Sequence, residues 1–466
     1  MKLWKHQEEG IRRALERNYF GFFFEVGTGK TATVIHTVRS RYNEYGRVLP
    51  TIIITPLITL QNWKKQWGIF SKIPDSKIHV LKGTGAAKTK TFLEQTKKDP
   101  GQIFILNYDA LLNDDLYEAI LEFTPSVLIV DESHYIKNPT SKRSKKVMKI
   151  AERAYFRYIL SGTPILNSQM DAFTQMYVLD LGERFGNKFH FFKLKYFRDA
   201  NAGMPSHKHF PNWVPITGSG KDIEEKISSC TMHVKKEECL DLPPFIKKEL
   251  WVDMSPDQKK HYETMKRDFV TYIQDKACVA SLAMTKALRL QQITTGYMPL
   301  DDGSFMEFKE NPRLDALEEL VLQMAPQHKI IVWACFRHNH EQIAKMLEKN
   351  KIKYVMLTGE QTAKEKFAAV EEFERGESRV VIGNQSVGIG IDLISSDISI
   401  YYSRNFKLGD DIQSEARNYR GGSEIHSSVT RIDLVCPGTI DERITQALSA
   451  KKEIGAELIK TMAFDI

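Results

Sequence analysis

Phe24-Glu25-Val26-Gly27-Thr28-Gly29-Lys30-Thr31 follows the apolar run Gly21-Phe22-Phe23, and later Val127-Leu128-Ile129-Val130 runs into Asp131-Glu132-Ser133-His134. Both are strand-like apolar runs that end in chemistry-bearing residues. A polyanionic triphosphate needs several backbone N–H groups converging on it, and glycine lets the chain bend that closely. Gly27 and Gly29 supply this freedom on either side of Thr28. The segment from Lys30 is predicted to open a helix whose positive end faces the phosphates. Lys30 would reach the β- and γ-phosphates, and the Thr31 hydroxyl would ligate Mg²⁺. Asp131 would hold the same ion, while Glu132 would orient or deprotonate the attacking water. The usual first glycine of such a loop is missing, since Phe24 stands in its place. Loop and carboxylate pair together read as the two halves of a nucleoside triphosphatase site.

Around these stretches the first part of the chain alternates strand-like runs (21–25, 51–55, 103–107, 127–131, 158–161) with helical segments. This rhythm predicts a parallel α/β sheet with functional loops at the carboxyl ends of its strands. Near 189–219 it breaks into aromatic, basic and Gly/Pro-rich sequence, beginning Phe189-His190-Phe191-Phe192-Lys193, which reads as a surface insertion. Asp241-Leu242-Pro243-Pro244 reads as a rigid joint, and 255–292 as mostly helical. From Pro312 the α/β rhythm resumes, with strands expected at 329–334, 354–358, 379–383, 398–402 and 431–435. Two lobes with a cleft between them follow: 1–245 (insertion at about 185–230), a helical linker or protrusion at 246–310, and 311–466.

The 466 residues exceed one compact core, and 42% hydrophobic with 27% charged content is that of a globular protein. No apolar run is long enough to cross a bilayer and the N-terminus lacks a signal core, so a cytoplasmic monomer without membrane partners is expected. Five cysteines with no close pairing and thirteen histidines without ligand spacing argue against disulfides or structural zinc. The net charge of +7 is mild for this length. Its distribution is uneven: Lys137, Lys142, Arg143, Lys145, Lys146 and Lys149 crowd behind the acidic pair, as a nucleic-acid patch or equally as a solvated helix face. Residues 297–308 form a strand–turn–strand around Asp301-Asp302-Gly303. Such a hairpin most often only completes a sheet; an apolar-tipped pin wedging between bases is the functional alternative.

In the second half, Gly388-Ile389-Gly390-Ile391-Asp392-Leu393 is another glycine-rich strand end, followed by Gln413-Ser414-Glu415-Ala416-Arg417-Asn418-Tyr419-Arg420. Arg417 and Arg420, three apart, are expected to share one helical face and to neutralise charge on a departing γ-phosphate. A solvated basic helix is the plain alternative.

The succession of motifs resembles superfamily 2 helicases, and more narrowly the Swi/Snf-type DNA translocases in a compact bacterial or phage form. It comprises Gln7, Gly27–Thr31, Thr55-Pro56-Leu57 with Asn62-Trp63, Asn107-Tyr108-Asp109, Asp131–His134 with Lys137-Asn138, and Ser161-Gly162-Thr163-Pro164-Ile165-Leu166-Asn167. Residues 388–393, 413–422 and Gly438-Thr439-Ile440-Asp441-Glu442 complete it. Ser133 in place of alanine, Ser423 in place of glutamine, and Glu25-Val26 depart from the family pattern without removing a reacting group. The resemblance implies two RecA-like lobes with ATP between them and DNA across both, RNA being the less favoured polymer. It implies adenine recognition by Gln7 and completion of the site by Gly388, Asp392, Arg417 and Arg420. His134, Ser161, Thr163 and Gln413 would couple nucleotide state to lobe movement. Thr55, Asn107, Tyr108, Phe336 and Gln385 would hold phosphates of one tracking strand. The expected activity is ATP-driven remodelling of branched DNA; a duplex translocase that strips bound proteins and an ATP-gated clamp are the alternatives.

Overall fold

Runs such as Ile52-Ile53-Ile54 and Leu128-Ile129-Val130 leave no polar face, which suits strands covered by helices on both sides. A computed structural model, describing residues 3–162, 168–202, 213–239, 241–275, 280–300, 304–386, 391–405, 407–446 and 448, forms them in that way. The described chain divides into two compact units, one ending at Cys239 and the other beginning at Asp241.

In the first unit the strands are β1 (Tyr19–Phe24), β2 (Thr51–Thr55), β3 (Ile78–Val80), β4 (Ile103–Asn107), β5 (Val127–Asp131) and β6 (Phe156–Leu160). A short antiparallel ribbon, β7 (Phe197–Asp199) with β8 (Trp213–Pro215), precedes β9 (Thr231–Val234). The main sheet is parallel with the order β3-β4-β2-β5-β6-β1-β9. Side chains alternate between its faces, as the two-residue strand period requires. Ile52, Ile54, Phe104, Leu106, Leu128 and Val130 enter one core, and Ile53, Ile103, Ile105, Val127 and Ile129 the other. Thr55 lies opposite Asn107, and Asp131 opposite Leu160, so the chemistry-bearing strand ends share one edge. The insertion is less superficial than its composition suggests. Phe192, Tyr196, Phe197, Ile223 and Ile227 are buried in the first of these cores.

The second unit carries β10 (Phe245–Trp251), the hairpin β11 (Tyr297–Pro299) and β12 (Phe305–Glu307), then β13 (Ile330–Trp333), β14 (Tyr354–Leu357), β15 (Val380–Gly383), β16 (Ile398–Tyr401) and β17 (Val429–Val435). Its parallel sheet has the order β10-β17-β16-β13-β15-β14. Because β10 pairs along its whole length with β17, residues from Asp241 belong to this unit and the division falls earlier than position 245. The expected linker is likewise no separate body. Tyr262, Leu290 and Ile293 from helices Pro256–Asp275 and Ala280–Thr294 pack with Phe308, Leu408, Ile440 and Ile444. The tip of the hairpin, 301–303, lies outside the described residues. Tyr297 anchors its base, with its ring 4.5 Å from His338, while Phe305 stands 54% exposed. Among the described residues no helix is long and apolar enough to cross a membrane.

One buried group ties the first sheet's stability to pH. His233 on β9 is buried, neither ring nitrogen has a hydrogen-bond partner among the described residues, and burial pushes its pKa down to about 4. The folded protein therefore keeps this ring neutral, whereas the unfolded chain protonates it near pH 6.5. Its contribution is complete above that value and is lost as pH falls towards 4, by up to ~3 kcal/mol. Urea midpoints measured at pH 7.5 and 4.5 should converge in His233→Leu relative to the wild type; unchanged acid sensitivity would refute the assignment.

Candidate active site

The loop between β1 and helix Lys30–Glu44 adopts left-handed backbone at Gly27 (φ 90°) and Gly29 (φ 84°). A side chain at Gly29 would also collide with Gln7, whose Nε2 lies 2.1 Å from the Cβ position. The N-terminal helix supports the loop directly. Gln7 Nε2 donates to the Gly29 carbonyl (3.3 Å), its Oε1 accepts from Trp4 N (2.9 Å), and His6 Nε2 lies 2.9 Å from the Thr28 carbonyl. Burial holds the His6 pKa below its usual value. Thr28 ties the loop to itself through Oγ1 to the Glu25 carbonyl (2.7 Å). Lys30 Nζ donates to the Phe24 carbonyl (2.7 Å) and to that of Glu25 (3.3 Å), which holds the ammonium in the loop's hollow. Thr31, in the first turn of the helix, is half-buried beside it. Glu25 itself accepts from Lys236 N (3.0 Å), tying the loop to the segment after β9.

At the end of β5 the Asp131 carboxylate is held from three directions. Thr55 Oγ1 and Trp63 Nε1 both donate to Oδ2 at 2.8 Å, and Glu132 N donates to Oδ1 at 3.0 Å. Burial, then the charge of Glu132, raises its pKa, against which Trp63, Thr55 and the Lys30 ammonium act. Lys30 and Asp131 therefore feel each other's charge, as a site for both phosphate and cation requires. Two adjacent carboxylates with a hydroxyl at Thr31 fit Mg²⁺, a hard ion bound by oxygen through one or two carboxylates plus substrate phosphates. No cluster of three or more His, Cys, Asp or Glu suited to a metal occurs among the described residues.

Glu132 occupies the left-handed region (φ 49°, ψ 55°), which costs a non-glycine residue about 1 kcal/mol or more. Its carbonyl accepts from Tyr135 N (2.9 Å) and Tyr108 OH (3.3 Å), so neighbouring groups hold the turn. The turn brings the Glu132 carboxylate 3.3 Å from His134 Nδ1, which also lies 3.4 Å from Ser161 Oγ. Ser133, the departure from alanine, donates its hydroxyl to Gln175 Oε1 (2.6 Å) and is fully buried.

Four of the residues expected at the tracking strand, Thr55, Asn107, Tyr108 and Gln385, are buried and hydrogen-bonded within the protein. Thr55 serves Asp131 instead. Tyr108 OH donates to the Asp131 carbonyl (2.5 Å), its ring stacks on Tyr135, and burial with the nearby Asp131 and Glu132 charges raises its pKa well above the usual value. Asn107 Oδ1 lies 3.5 Å from Lys88 Nζ, and Gln385 bonds to Ser414 Oγ (3.3 Å) and Asn405 N (3.2 Å). Phe336, at the start of helix Arg337–Lys349, is half-buried with its ring 6.1 Å from Tyr297. Trp63 is the residue whose role the sequence left unread. A buried indole N–H calls for an acceptor, and here that acceptor is the Asp131 carboxylate.

In the second unit Arg417 and Arg420 do not share a helical face, because helix Leu408–Glu415 ends before them. Arg417 is buried and turns inward, Nε to the Gln413 carbonyl (2.6 Å) and Nη1 to that of Ile391 (2.9 Å). Arg420 pairs with Asp392, so two expected site residues do meet. Gln413 is buried in the same helix. Gly388 and Thr163 lie outside the described residues.

That helix is fixed by a buried ionic network. Arg431 bonds Asp411 (2.9 Å), Asp433 (2.9 Å) and Glu415 (3.0 Å), and Arg404 bonds Asp411 (3.1 Å) and Asp433 (3.2 Å). The Arg431 guanidinium also lies over the Tyr401 ring at 3.8 Å.

Comparison with known proteins matches the same regions. Residues 312–422 match the helicase conserved C-terminal domain. An uncharacterized ATP-dependent helicase of Mycoplasma genitalium is 25% identical over 473 residues, covering 100% of this chain and 42% of that protein. The CHD3-type chromatin-remodeling factor PICKLE of Arabidopsis thaliana is 25% identical over 470 residues, covering 93% and 32% of the two chains. The solved SWI2/SNF2 ATPase core of Sulfolobus solfataricus in complex with dsDNA covers 98% of this chain and 93% of its own, at 22% identity and a TM-score of 0.45. This chain thus spans less than half the length of both named relatives. Residues 6–298, well over half of the chain, match the SNF2-related domain, and the chain belongs to that family, the Swi/Snf-type branch of superfamily 2.

Proposed function

We propose that this chain is an ATP-driven DNA translocase that remodels branched DNA, acting as a monomer in the cytoplasm. The observation that carries the reading is the shared strand-end edge, where Lys30 in its glycine loop feels the charge of Asp131 beside Glu132. In the proposed reaction the loop N–H groups and Lys30 bind the triphosphate, and Gln7 recognises adenine beside the loop it braces. A water oxygen attacks the γ-phosphorus, the bond to the β–γ bridging oxygen breaks, and the water's proton passes to the Glu132 carboxylate. His134 orients that carboxylate and, through Ser161, links it to the segment that follows β6. Mg²⁺, held by Thr31 and Asp131, would neutralise charge on the phosphates when bound. Arg417 and Arg420 would supply positive charge from the second unit, which requires Arg420 to exchange Asp392 for phosphate and Arg417 to leave the Gln413 and Ile391 carbonyls.

The family tie supports translocation, because ATP binding that favours closed lobes and hydrolysis that favours open ones would shift a grip along a strand. A branched substrate is supported by the hairpin with the exposed Phe305 and the anchored Tyr297. Comparing ATPase stimulation by single strands, duplex, fork and four-way junction, with strand displacement on the same DNAs, tests both points. Fork or junction should stimulate most and be unwound or regressed. Equal stimulation by plain duplex without strand separation would replace this reading with a protein-stripping duplex translocase.

A further inference from the structure

The two basic stretches of the first unit differ in how their charge is used. Behind the acidic pair, Lys137, Arg143, Lys146 and Lys149 face Asp171, Asp109, Asp114 and Glu152, so most of that charge is spent inside the protein. The insertion helix Phe189–Tyr196 is otherwise. Residues 186–198 read Gly-Asn-Lys-Phe-His-Phe-Phe-Lys-Leu-Lys-Tyr-Phe-Arg and contain no acid. Among the described residues no carboxylate lies within ion-pair distance of Lys188, Lys195 or Arg198. The helix buries Phe192 and Tyr196 against Phe185, with ring centroids 5.0 and 5.8 Å apart. Its other face carries Phe191, 63% exposed, and Leu194, 52% exposed. Lys188, at the N-cap, and Lys195 are exposed on this helix and Arg198 is exposed on β7 just beyond it; the Lys188 ammonium lies 5.9 Å from the Phe191 ring centroid and that of Lys195 5.1 Å from the Tyr196 ring centroid.

An exposed aromatic ring beside cations that make no close ion pair calls for a partner that is both polyanionic and able to stack. We infer that this face is an auxiliary docking site for single-stranded nucleic acid, with a base on Phe191 and backbone phosphates on Lys188, Lys195 and Arg198. Single strands suit it better than duplex, whose base faces are already stacked on each other, and stacking on exposed aromatics is tolerant of sequence. The inference goes beyond the translocase reading. None of its residues belongs to the loop carrying Lys30 or to the Asp131–His134 turn.

The test measures binding of a fluorescein-labelled oligothymidylate of about 16 nucleotides to the full chain, across a range of salt. Phe191→Ala should weaken the single strand about tenfold while leaving duplex affinity unchanged. Combined Lys188→Glu, Lys195→Glu and Arg198→Glu should weaken it further and flatten the log–log salt slope by about 2. Both changes lie on the surface, so circular dichroism should match the wild type. An oligonucleotide bearing 4-thiothymidine should photo-crosslink to the peptide containing Phe191. Undiminished affinity in Phe191→Ala, crosslinks confined to other peptides, or equal binding of poly-glutamate at this face would each overturn the inference. Lys30→Ala should retain this binding, so its failure and that of the ATP reading are separable.

Discussion

Glu132→Gln is expected to cut ATP turnover by about 10³-fold while nucleotide still binds. Glutamine has the same length and the same tolerance of the left-handed turn that the Tyr108 and Tyr135 contacts hold in place. It can hydrogen-bond a water but cannot take its proton, so the loss falls on the chemical step. Lys30→Ala should behave differently, since the ammonium sits in the phosphate loop and its removal weakens binding as well as turnover. Single-turnover hydrolysis with separate measurement of nucleotide affinity distinguishes the two. Turnover within a few-fold of wild type in Glu132→Gln would dismiss the base assignment.

The second large effect is on folding. Arg431→Met is expected to destabilise the second unit by ~3–5 kcal/mol, read as a fall in its urea or thermal midpoint. Arg431, Asp411 and Asp433 are fully buried, so a neutral side chain at 431 leaves two buried carboxylates with Arg404 between them and Lys247 3.6 Å from Asp433 as their remaining cations. A loss of that size is a large part of the stability of an ordinary domain, on the order of 5–15 kcal/mol. The design principle is pairing, not charge for its own sake. Breaking one member of a buried network leaves an uncompensated ion, whereas replacing the whole set by apolar residues of similar volume can be nearly neutral. A midpoint unmoved by Arg431→Met would show that the network is wetter than its burial implies. The same change should loosen helix Leu408–Glu415, and with it the placement of Arg417 and Arg420.

How much of this was legible beforehand depends on what each residue type betrays. Strands β1, β2, β4, β5 and β6 announced themselves because both faces are buried and the runs are mainly apolar. β10 did not, since Phe245-Ile246-Lys247-Lys248-Glu249-Leu250-Trp251 sits largely exposed at the edge of its sheet, and β3 is only three residues long. That Lys30, Asp131, Glu132 and His134 stand at strand ends could be read because apolar runs lead into them. The surroundings of Thr55 and Tyr108 could not. A motif locates the end of a strand, but the side chain there points inward or outward according to register, and Thr55 and Tyr108 point inward to Asp131. Likewise Arg417 and Arg420 looked like helical neighbours because spacing alone does not show where the helix stops. The network around Arg431 was invisible for a further reason: its members come from a strand, a helix and a loop, and each looks like an ordinary surface charge.

Glu132 carries its carboxylate on a backbone turn that glycine or asparagine would adopt with less strain. Chain geometry and reaction chemistry thus pull this position in opposite directions. Selection for heat resistance alone would favour glycine or asparagine at this position, and selection for turnover the carboxylate.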